Sequence, residues 1–306
     1  MSSNTTSLSN PLFHIAMTAH SHLGAFATRD IRKGTTVLID TPLFTLDAPL
    51  QAYLYQRVQS GASSGPTPIE GEEDDDEASI PSLEHWFEKQ IQRSLANRTP
   101  TEIEHFYKLS NMHPSQPRAY AIFLTNAVSL SESMTGGLFP LLSRFNSSCR
   151  PNLSRPHWSP RTRMTTLNAV RDIAQGEEMV WPYLGIPFEF DPPESRRAQL
   201  KQVFGFECAC HACLEWTDTQ TSTPSTKGAH TEPTKLKASE ARLRELRRLK
   251  QMIEMGGERV LRKMQAISKE EHLWEMSDRL GSEADRVARG EPKRGWDKDD
   301  LDDEER

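Results

Sequence analysis

The stretch Arg144-Phe-Asn-Ser-Ser-Cys-Arg-Pro-Asn152 places one cysteine between two asparagines, far from the other three cysteines of the chain. Those three lie together in Cys208-Ala-Cys210-His-Ala-Cys213. Three thiolates on one short loop can occupy three corners of a tetrahedral zinc site, which is closed by a fourth ligand. Cys149 is the favoured fourth ligand, and His211 is the alternative, although its place inside the cluster makes tetrahedral closure awkward. A metal bound by these cysteines would join the two segments into one pocket.

The composition bounds the class of protein. The chain has 306 residues and a formal net charge of -6, which does not indicate a surface that coats nucleic acid. No segment approaches the roughly 18 consecutive apolar residues of a membrane span, and the N-terminus lacks a basic region followed by an apolar one. We therefore expect an intracellular protein whose thiols stay reduced and available to a metal. We also expect a monomer, located in the nucleus, the cytoplasm or both.

Strand signals occur on both sides of a long interruption. Residues 13–47 alternate short apolar runs with turn signals, and the run Thr35–Ile39 after Lys33-Gly34 is the strongest strand candidate. Strands are predicted again over Met164–Val170 and Glu178–Trp181. The sequence thus predicts short strands before and after an insertion.

Apolar residues recur at helical spacing in the interruption and in the C-terminal region. Helices are predicted over Ser82–Leu95, Thr101–Ser110 and Ala119–Val128, with Thr101 and Glu104 as a capping box. The spacing over Leu236–Leu280 predicts two further helices divided by Gly256-Gly257.

Polar segments separate these elements. Glu70–Glu77 has seven acids in eight positions, and such like charge predicts a disordered loop. Thr217–Thr234 is rich in Ser, Thr and Pro and predicts a linker. The last sixteen residues contain eight acids and four bases and predict a frayed tail.

Four separated segments together resemble the SET domain of protein lysine methyltransferases, most closely the SMYD-like and fungal SET proteins. The four segments are Gly24-Ala-Phe-Ala-Thr-Arg-Asp-Ile-Arg-Lys-Gly34, the Arg144–Asn152 stretch, Gly176-Glu-Glu-Met-Val-Trp-Pro-Tyr183 and Phe204-Gly-Phe-Glu-Cys-Ala-Cys-His-Ala-Cys213. The resemblance covers residues 13–47 and 119–214. It implies an α+β, mainly β SET domain of the β-clip fold, with a helical insertion, a post-SET zinc loop and a C-terminal helical extension. The cysteine-rich MYND module of SMYD proteins is absent, because all four cysteines are already assigned.

The resemblance also implies a division of the chain into segments. These are a flexible tail (1–12), the first part of the SET domain (13–47), a helical insertion with the acidic loop (48–118), the second part of the SET domain (119–190), the post-SET zinc segment (191–216), a linker (217–235), a helical extension (236–290) and an acidic tail (291–306).

The family's functional residues can be carried over to matching positions. Tyr183 is implied as the catalytic residue that orients a substrate lysine of a histone or another protein. S-adenosyl-L-methionine is implied as the cofactor, bound by Gly24, Ala25, Phe26, Asn146, Ser147 and Phe206. One structural zinc ion is implied, held by Cys149, Cys208, Cys210 and Cys213. Asn126 and Trp181 are implied for the substrate channel, although the helical context of Asn126 also permits an ordinary buried hydrogen bond.

Other polar groups favour structural interpretations. Glu177 and Glu178 are adjacent on a strand, so their side chains point to opposite faces, and we predict a solvated or salt-bridged element rather than an acid/base pair. The basic residues between Arg242 and Lys250 could meet acidic partners or nucleic acid, but a solvated helix face is the favoured interpretation, and we expect no direct binding of nucleic acid.

Two positions depart from the family pattern. His22 stands where a first glycine of Gly-x-Gly is usual, and Ser147 replaces the signature histidine. Both positions are implied to lie near the cofactor. They motivate an alternative function, a SET-fold binding module that has weak turnover or none.

Overall fold

The computed structural model describes residues 11–18, 23–46, 83–130, 136–214 and 233–293. The predicted acidic loop lies outside these ranges, as do His22, nearly all of the N-terminal tail, and most of the predicted linker and acidic tail.

The strands form small sheets. They are β1 (Phe13–Met17), β2 (Leu23–Ala27), β3 (Thr36–Asp40), β4 (Phe44–Leu46), β5 (Ala127–Ser129), β6 (Gly136–Leu138), β7 (His157–Ser159), β8 (Met164–Asn168) and β9 (Glu178–Met179). Within the described residues, the sheet orders are β1-β2-β9, β3-β8-β7 and β4-β6-β5. Strand β2 is central in its sheet, and it pairs antiparallel with β1 and with β9, where Ala25 faces Met179. This pairing brings the N-terminal strands beside the segment that leads to Tyr183.

The helices are longer than the strands. They are α1 (Leu83–Ala96), α2 (Pro100–Tyr107), α3 (Arg118–Asn126), α4 (Pro193–Phe204), α5 (Pro233–Gln251), α6 (Ile253–Glu270) and α7 (Trp274–Ala288). Short 3-10 turns cover Leu142–Arg144 and Ile186–Phe188. The predicted α+β class is confirmed.

The described chain divides into two compact units. The first comprises Met1–Ile39, Arg144–Ser159 and Thr165–Arg306. In it, apolar residues of α5, α6 and α7 pack with Ile186 and Phe190 into one buried cluster, because each helix presents a stripe of apolar side chains. The segment just after Tyr183 is thereby anchored to the C-terminal helices.

The second unit comprises Asp40–Ser143 and Pro160–Met164. Its core joins α1, α2 and α3 to β4 and β6, with Phe44 between Phe106 and Phe123. The Asp40 carboxylate is 8% exposed and accepts hydrogen bonds from the backbone amides of Leu141 and Leu142. Burial raises the pKa of Asp40 to about 6, although these hydrogen bonds and one from Thr41 act to lower it.

The predicted cap of α2 was wrong by two residues. The helix begins after Thr99, whose side chain accepts a hydrogen bond from the amide of Glu102, while the Glu102 carboxylate bonds back to the Thr99 amide. Pro100 explains the shift, because a proline fits the first helical position, where its missing N–H leaves no bond unmade. Thr101 and Glu104 are therefore not the capping box.

The C-terminal helices also differ from the prediction. The first break falls between Gln251 and Ile253, and Gly257 forms a kink inside α6 with φ 53 and ψ -154. A second break, at His272 with φ 57, separates α6 from α7. Helix α4 was not predicted, although Pro193 at its start and Gly205 in the left-handed conformation after its end are ordinary boundary signals.

Candidate active site

The segment Arg144–Asn152 lies beside the segment Gly176–Tyr183 in the first unit. Ser147 and Trp181 form a parallel β-bridge. The amide of Trp181 donates to the carbonyl of Asn146 at 3.1 Å, and the amide of Ser148 donates to the carbonyl of Trp181 at 3.2 Å. Further along, the side chain of Asn152 is 1% exposed and bonds to the backbone of Glu178 and Val180. We call residues 144–152 the asparagine loop. These bonds fix the asparagine loop against the strand that ends near Tyr183.

Tyr183 is held at both ends. Its hydroxyl donates to the backbone carbonyl of Phe145 at 2.8 Å, and its amide donates to the Ser147 hydroxyl at 3.3 Å. Its ring contacts the rings of Trp181 and Phe204, with centroids 4.7 and 5.2 Å away. Burial, followed by the charge of Glu178, raises the pKa of Tyr183 well above its ordinary value. The phenol therefore stays protonated at neutral pH and acts as a hydrogen-bonding group rather than as a base.

Gly24 lies where a side chain would collide. A Cβ there would stand 2.6 Å from Glu178 Oε1 and 3.0 Å from Asn146 Nδ2. The Asn146 amide donates to that same carboxylate oxygen at 2.7 Å and to the carbonyl of Leu23 at 3.1 Å. Ala25 is buried next to Gly24, and Phe26 follows in the same strand. The structure thus brings together Gly24 and Asn146, which come from distant parts of the chain.

The four cysteines converge in the first unit. Their Sγ atoms all lie within 4.8 Å of one another, and those of Cys149 and Cys213 are 3.6 Å apart. A Zn–S distance of about 2.3 Å in a tetrahedron places sulfur atoms roughly 3.8 Å apart, so this spacing suits one ion. His211 is exposed and is not part of the converging group. The fourth sulfur of the cluster is that of Cys149.

An aromatic cluster connects the cysteines to Tyr183. The rings of Phe206 and Tyr183 meet edge to face at 6.1 Å, and Phe206 and Phe204 are 6.5 Å apart. Cys208, Cys213 and Leu200 form the buried centre against which these rings pack. Any group that fixes the cysteines also fixes the walls around Tyr183.

Asn126 lies in the second unit. Its amide donates to the carbonyl of Ser110 at 2.8 Å and to that of Ile122 at 2.7 Å. These bonds correspond to the alternative interpretation, in which Asn126 makes an ordinary structural hydrogen bond.

The two adjacent glutamates are structural, as predicted. Glu177 pairs with Arg171 and accepts bonds from the Asn152 side chain and the Ala174 amide. Burial acts to raise the pKa of Glu177, but the Arg171 pair and these hydrogen bonds together lower it. Glu178 instead accepts a hydrogen bond from Asn146, so the two carboxylates have different partners.

Ion pairs that the sequence did not reveal connect the asparagine loop to the C-terminal helices. Arg150 pairs with Glu271 at 2.7 Å, and Glu271, which is 3% exposed, also pairs with Arg242 at 2.6 Å. Arg155 pairs with Glu189 and, at 3.1 Å, with Glu275. Arg150 and Glu271, like Arg155 and Glu275, are about 120 positions apart, and no spacing in the sequence relates residues at such a separation.

The basic residues of α5 are largely engaged. Arg242 pairs with Glu271, Arg247 donates to the carbonyl of Phe190, and Arg248 pairs with Glu245 at 2.7 Å. These contacts within the chain support a structural role for the basic residues, rather than binding of an acidic partner.

A small pocket opens beside Tyr183 within the first unit. Its lining includes Ser147 from the asparagine loop, Arg196 and Leu200 from α4, and Trp274 at the start of α7. Sequence reasoning missed the contribution of α4, because no helix was predicted there. Among the described residues, none of the helices has the length and apolar character that crossing a bilayer requires.

Comparisons with known proteins agree with this arrangement. Residues 22–184 match the SET domain family. Histone-lysine N-methyltransferase set5 of Schizosaccharomyces pombe is 36% identical over 126 residues, 41% of this chain and 38% of that protein. Histone-lysine N-methyltransferase SMYD3 of Homo sapiens is 34% identical over 122 residues, 36% of this chain and 27% of that protein. The matches therefore span less than two fifths of either relative.

Solved structures give a weaker likeness. The SET domain of LSMT bound to lysine and AdoHcy shares 12% identity with this chain at a TM-score of 0.34, over 65% of this chain and 54% of that one. The family match covers more than half of the chain and includes the paired asparagine and tyrosine segments described above. The chain belongs to the SET domain family of lysine methyltransferases.

Proposed function

We propose that this chain is an S-adenosyl-L-methionine-dependent protein-lysine N-methyltransferase that acts on a histone or another protein, in the nucleus, the cytoplasm or both. The observation that carries the proposal is the placement of Tyr183. Its hydroxyl bonds to the Phe145 carbonyl, directly before Asn146, so the catalytic candidate and the cofactor-binding candidate share one loop.

Tyr183 is suited to orient an amine. S-adenosyl-L-methionine, when bound, supplies a methyl group that a neutral amine can accept. Attack requires the nitrogen to be held in line at near-attack distance, and such positioning by a binding site lowers the barrier to displacement. The protonated phenol can hold the amine by hydrogen bonding, and the rings of Trp181 and Phe204 exclude water. An apolar enclosure also lowers the pKa of a lysine and so favours its neutral form.

The residues proposed to bind the cofactor have features that fit S-adenosyl-L-methionine. Gly24 and Ala25 carry no bulky side chains of their own, and Ser147 offers its main chain. Asn146 offers its side-chain oxygen, because its amide nitrogen donates to Glu178 and to the Leu23 carbonyl. Phe206 offers a ring face for an adenine. Trp181 adds a buried indole N–H that has no partner among the described residues, and such a donor is ordinarily satisfied by a ligand or water.

We propose that Cys149, Cys208, Cys210 and Cys213 hold one structural zinc ion. The spacing of their sulfur atoms supports this assignment, since four thiolates without a solvent ligand are typical of structural zinc. The ion would fix Phe206 beside Tyr183 and would take no part in the reaction itself.

The first test is cofactor binding. Calorimetry with zinc-loaded protein is expected to detect S-adenosyl-L-methionine, and Asn146→Ala is expected to weaken it. Absence of binding at millimolar cofactor would remove the enzyme assignment. Mass increments of 14 Da on proteins from cells with and without this chain would then identify the substrate.

A second candidate function is a binding module that keeps the SET fold without turnover. Ser147, in place of the usual histidine, favours it, because Ser147 contacts Tyr183 directly. Tight cofactor binding without methyl transfer to a broad panel of proteins would support the module. Transfer that is abolished by Tyr183→Phe would exclude it.

A further inference from the structure

The backbone around Tyr183 belongs to no helix or strand. Strand β9 ends at Met179, and the 3-10 turn that follows begins at Ile186. On the N-terminal side, the amide of Trp181 and the amide of Tyr183 donate to the asparagine loop. No ladder of a sheet or helix holds the C-terminal side, so the position of Tyr183 depends there on side chains that bind the irregular backbone.

A buried arginine binds the residue that follows Tyr183. Nη2 of Arg155 donates to the carbonyl of Leu184 at 3.1 Å. The same guanidinium pairs with Glu189 and, through Nη1 at 3.1 Å, with Glu275. The side chains of Arg155 and Glu189 are each 10% exposed. Because a guanidinium presents its donors in a rigid planar fork, its acceptors are held in fixed positions relative to one another.

The first turn of α7 anchors this arginine. The backbone amide of Arg155 donates to the Glu275 carboxylate at 3.2 Å, in addition to the bond from its guanidinium. Glu275 lies in the first turn of α7, directly before Met276, which is 1% exposed in the cluster formed by the C-terminal helices. The guanidinium therefore connects a well-packed helix to the irregular backbone after Tyr183.

We propose that Arg155 is a positioning residue for Tyr183, which it holds in place by binding the Leu184 carbonyl from the first turn of α7. This inference rests on the proposed function and deepens it. A displacement of about 1 Å at a reacting group can cost about 100-fold in rate. The rate of methyl transfer should therefore depend on Arg155, whereas the affinity for the cofactor should not.

The variants are chosen so that the fold survives. Arg155→Met alone leaves Glu189 buried without a counter-charge, which is expected to destabilise the protein. The double variant Arg155→Met with Glu189→Gln removes both charges of that pair, and Glu275 keeps Arg279 at 3.3 Å. Glu189→Gln alone is the reference, since it retains Arg155. Arg279→Met is the control, because Arg155 still connects Glu275 to Leu184.

The first measurement is the initial rate of methyl transfer from radiolabelled cofactor to purified core histones and to a protein extract. We expect the double variant to be about 10–100-fold slower than Glu189→Gln, with an unchanged Kd for S-adenosyl-L-methionine in calorimetry. Arg279→Met should match the unmodified chain. In the Tyr183→Phe background, loss of Arg155 should slow transfer no further, because the phenol through which it acts is already gone. An equal loss in both backgrounds would overturn the inference.

Hydrogen exchange tests the inference without turnover. The amides of Trp181 and Tyr183, which bond to the asparagine loop, should exchange about 10-fold faster in the double variant than in Glu189→Gln. Arg279→Met should leave their exchange unchanged. Equal exchange in the double variant and Glu189→Gln would overturn the inference. If the unmodified chain transfers no methyl group to either substrate mixture, the proposed function fails, and the exchange rates then decide whether Arg155 positions Tyr183.

Discussion

The hydroxyl of Tyr183 donates a hydrogen bond to the backbone carbonyl of Phe145, so the candidate catalytic phenol is held by the residue that precedes Asn146. Tyr183→Phe removes this donor and leaves the ring in place. We expect methyl transfer to fall by about 100-fold or more, because a misplaced amine loses the near-attack geometry. The free energy of unfolding should fall by only about 1 kcal/mol, the net worth of one hydrogen bond.

Radiolabelled methyl transfer and chemical denaturation would measure these two effects. Tyr107→Phe is the matched control, since Tyr107 lies in the second unit with its ring against Arg118. Unchanged transfer by Tyr183→Phe would contradict the assigned role.

Cys149→Ala should abolish stoichiometric zinc. The remaining three thiolates leave one coordination position open, so metal analysis of the purified protein is expected to show well under one equivalent. His211→Ala is the control and should keep the full equivalent, because His211 is exposed and outside the converging group. A full equivalent in Cys149→Ala would show that another group completes the site.

Gly24→Ala should weaken cofactor binding. The new Cβ would meet Glu178 Oε1 at 2.6 Å, a distance that forces the carboxylate or the strand to move. We expect a loss of stability of about 1–3 kcal/mol, typical of an overpacked site, together with weaker binding of S-adenosyl-L-methionine in calorimetry. The double variant Gly24→Ala with Glu178→Ala removes the nearest of the three atoms that the new Cβ would meet, so a double-mutant cycle should show positive coupling. Additive effects would mean that the collision is not the cause.

Glu271→Ala should detach the C-terminal helices from the asparagine loop. Glu271 is 3% exposed between Arg150 and Arg242, and its removal leaves two charges without their partner. The expected cost is about 3–5 kcal/mol, the range for breaking a buried ion pair. Limited proteolysis should then cut between α6 and α7 sooner. Glu258→Ala, on an exposed pair of the same helix with Arg262, should have no such effect.

Asp40 should make stability depend on pH. Burial raises its pKa in the folded state to about 6 from 3.8, so the unfolded chain loses this proton first as pH rises. Stability must therefore decline between these values, by about 1 kcal/mol from pH 5 to pH 7.5. Denaturation of the unmodified chain and Asp40→Asn at both pH values isolates the effect. A stability difference that is the same at both would exclude Asp40 as its source.

The sequence predicted the parts of the site that use distinctive residue types. Cysteines are scarce in this chain, so their clustering and the single distant Cys149 could be interpreted without a structure. Tyr183 could be found because a glycine and two acids precede it at a recognisable spacing. The type of a residue and its spacing from nearby residues can both be seen in the sequence without a structure.

The parts that the sequence did not predict depend on the environment of common residues. Arg196 and Arg197 are identical in type and adjacent, yet Arg196 is buried in the lining of the pocket beside Tyr183, and Arg197 pairs with Glu207. The break at His272 depends on a left-handed backbone conformation, and the sequence has no glycine or asparagine there that would predict it. The start of α2 also differed from the prediction. The sequence offered both Thr99 and Thr101 as caps, and the helix begins at Pro100, so Thr99 is the cap.

The ion pair between Arg150 and Glu271 joins residues 121 positions apart, and this separation has a consequence for the order of folding. Contacts between distant parts of a chain form late, because the intervening segment must first be ordered. During synthesis on the ribosome, the asparagine loop emerges long before its partner helix exists. The candidate pocket is therefore expected to be among the last parts of this protein to be assembled, after the SET strands have paired.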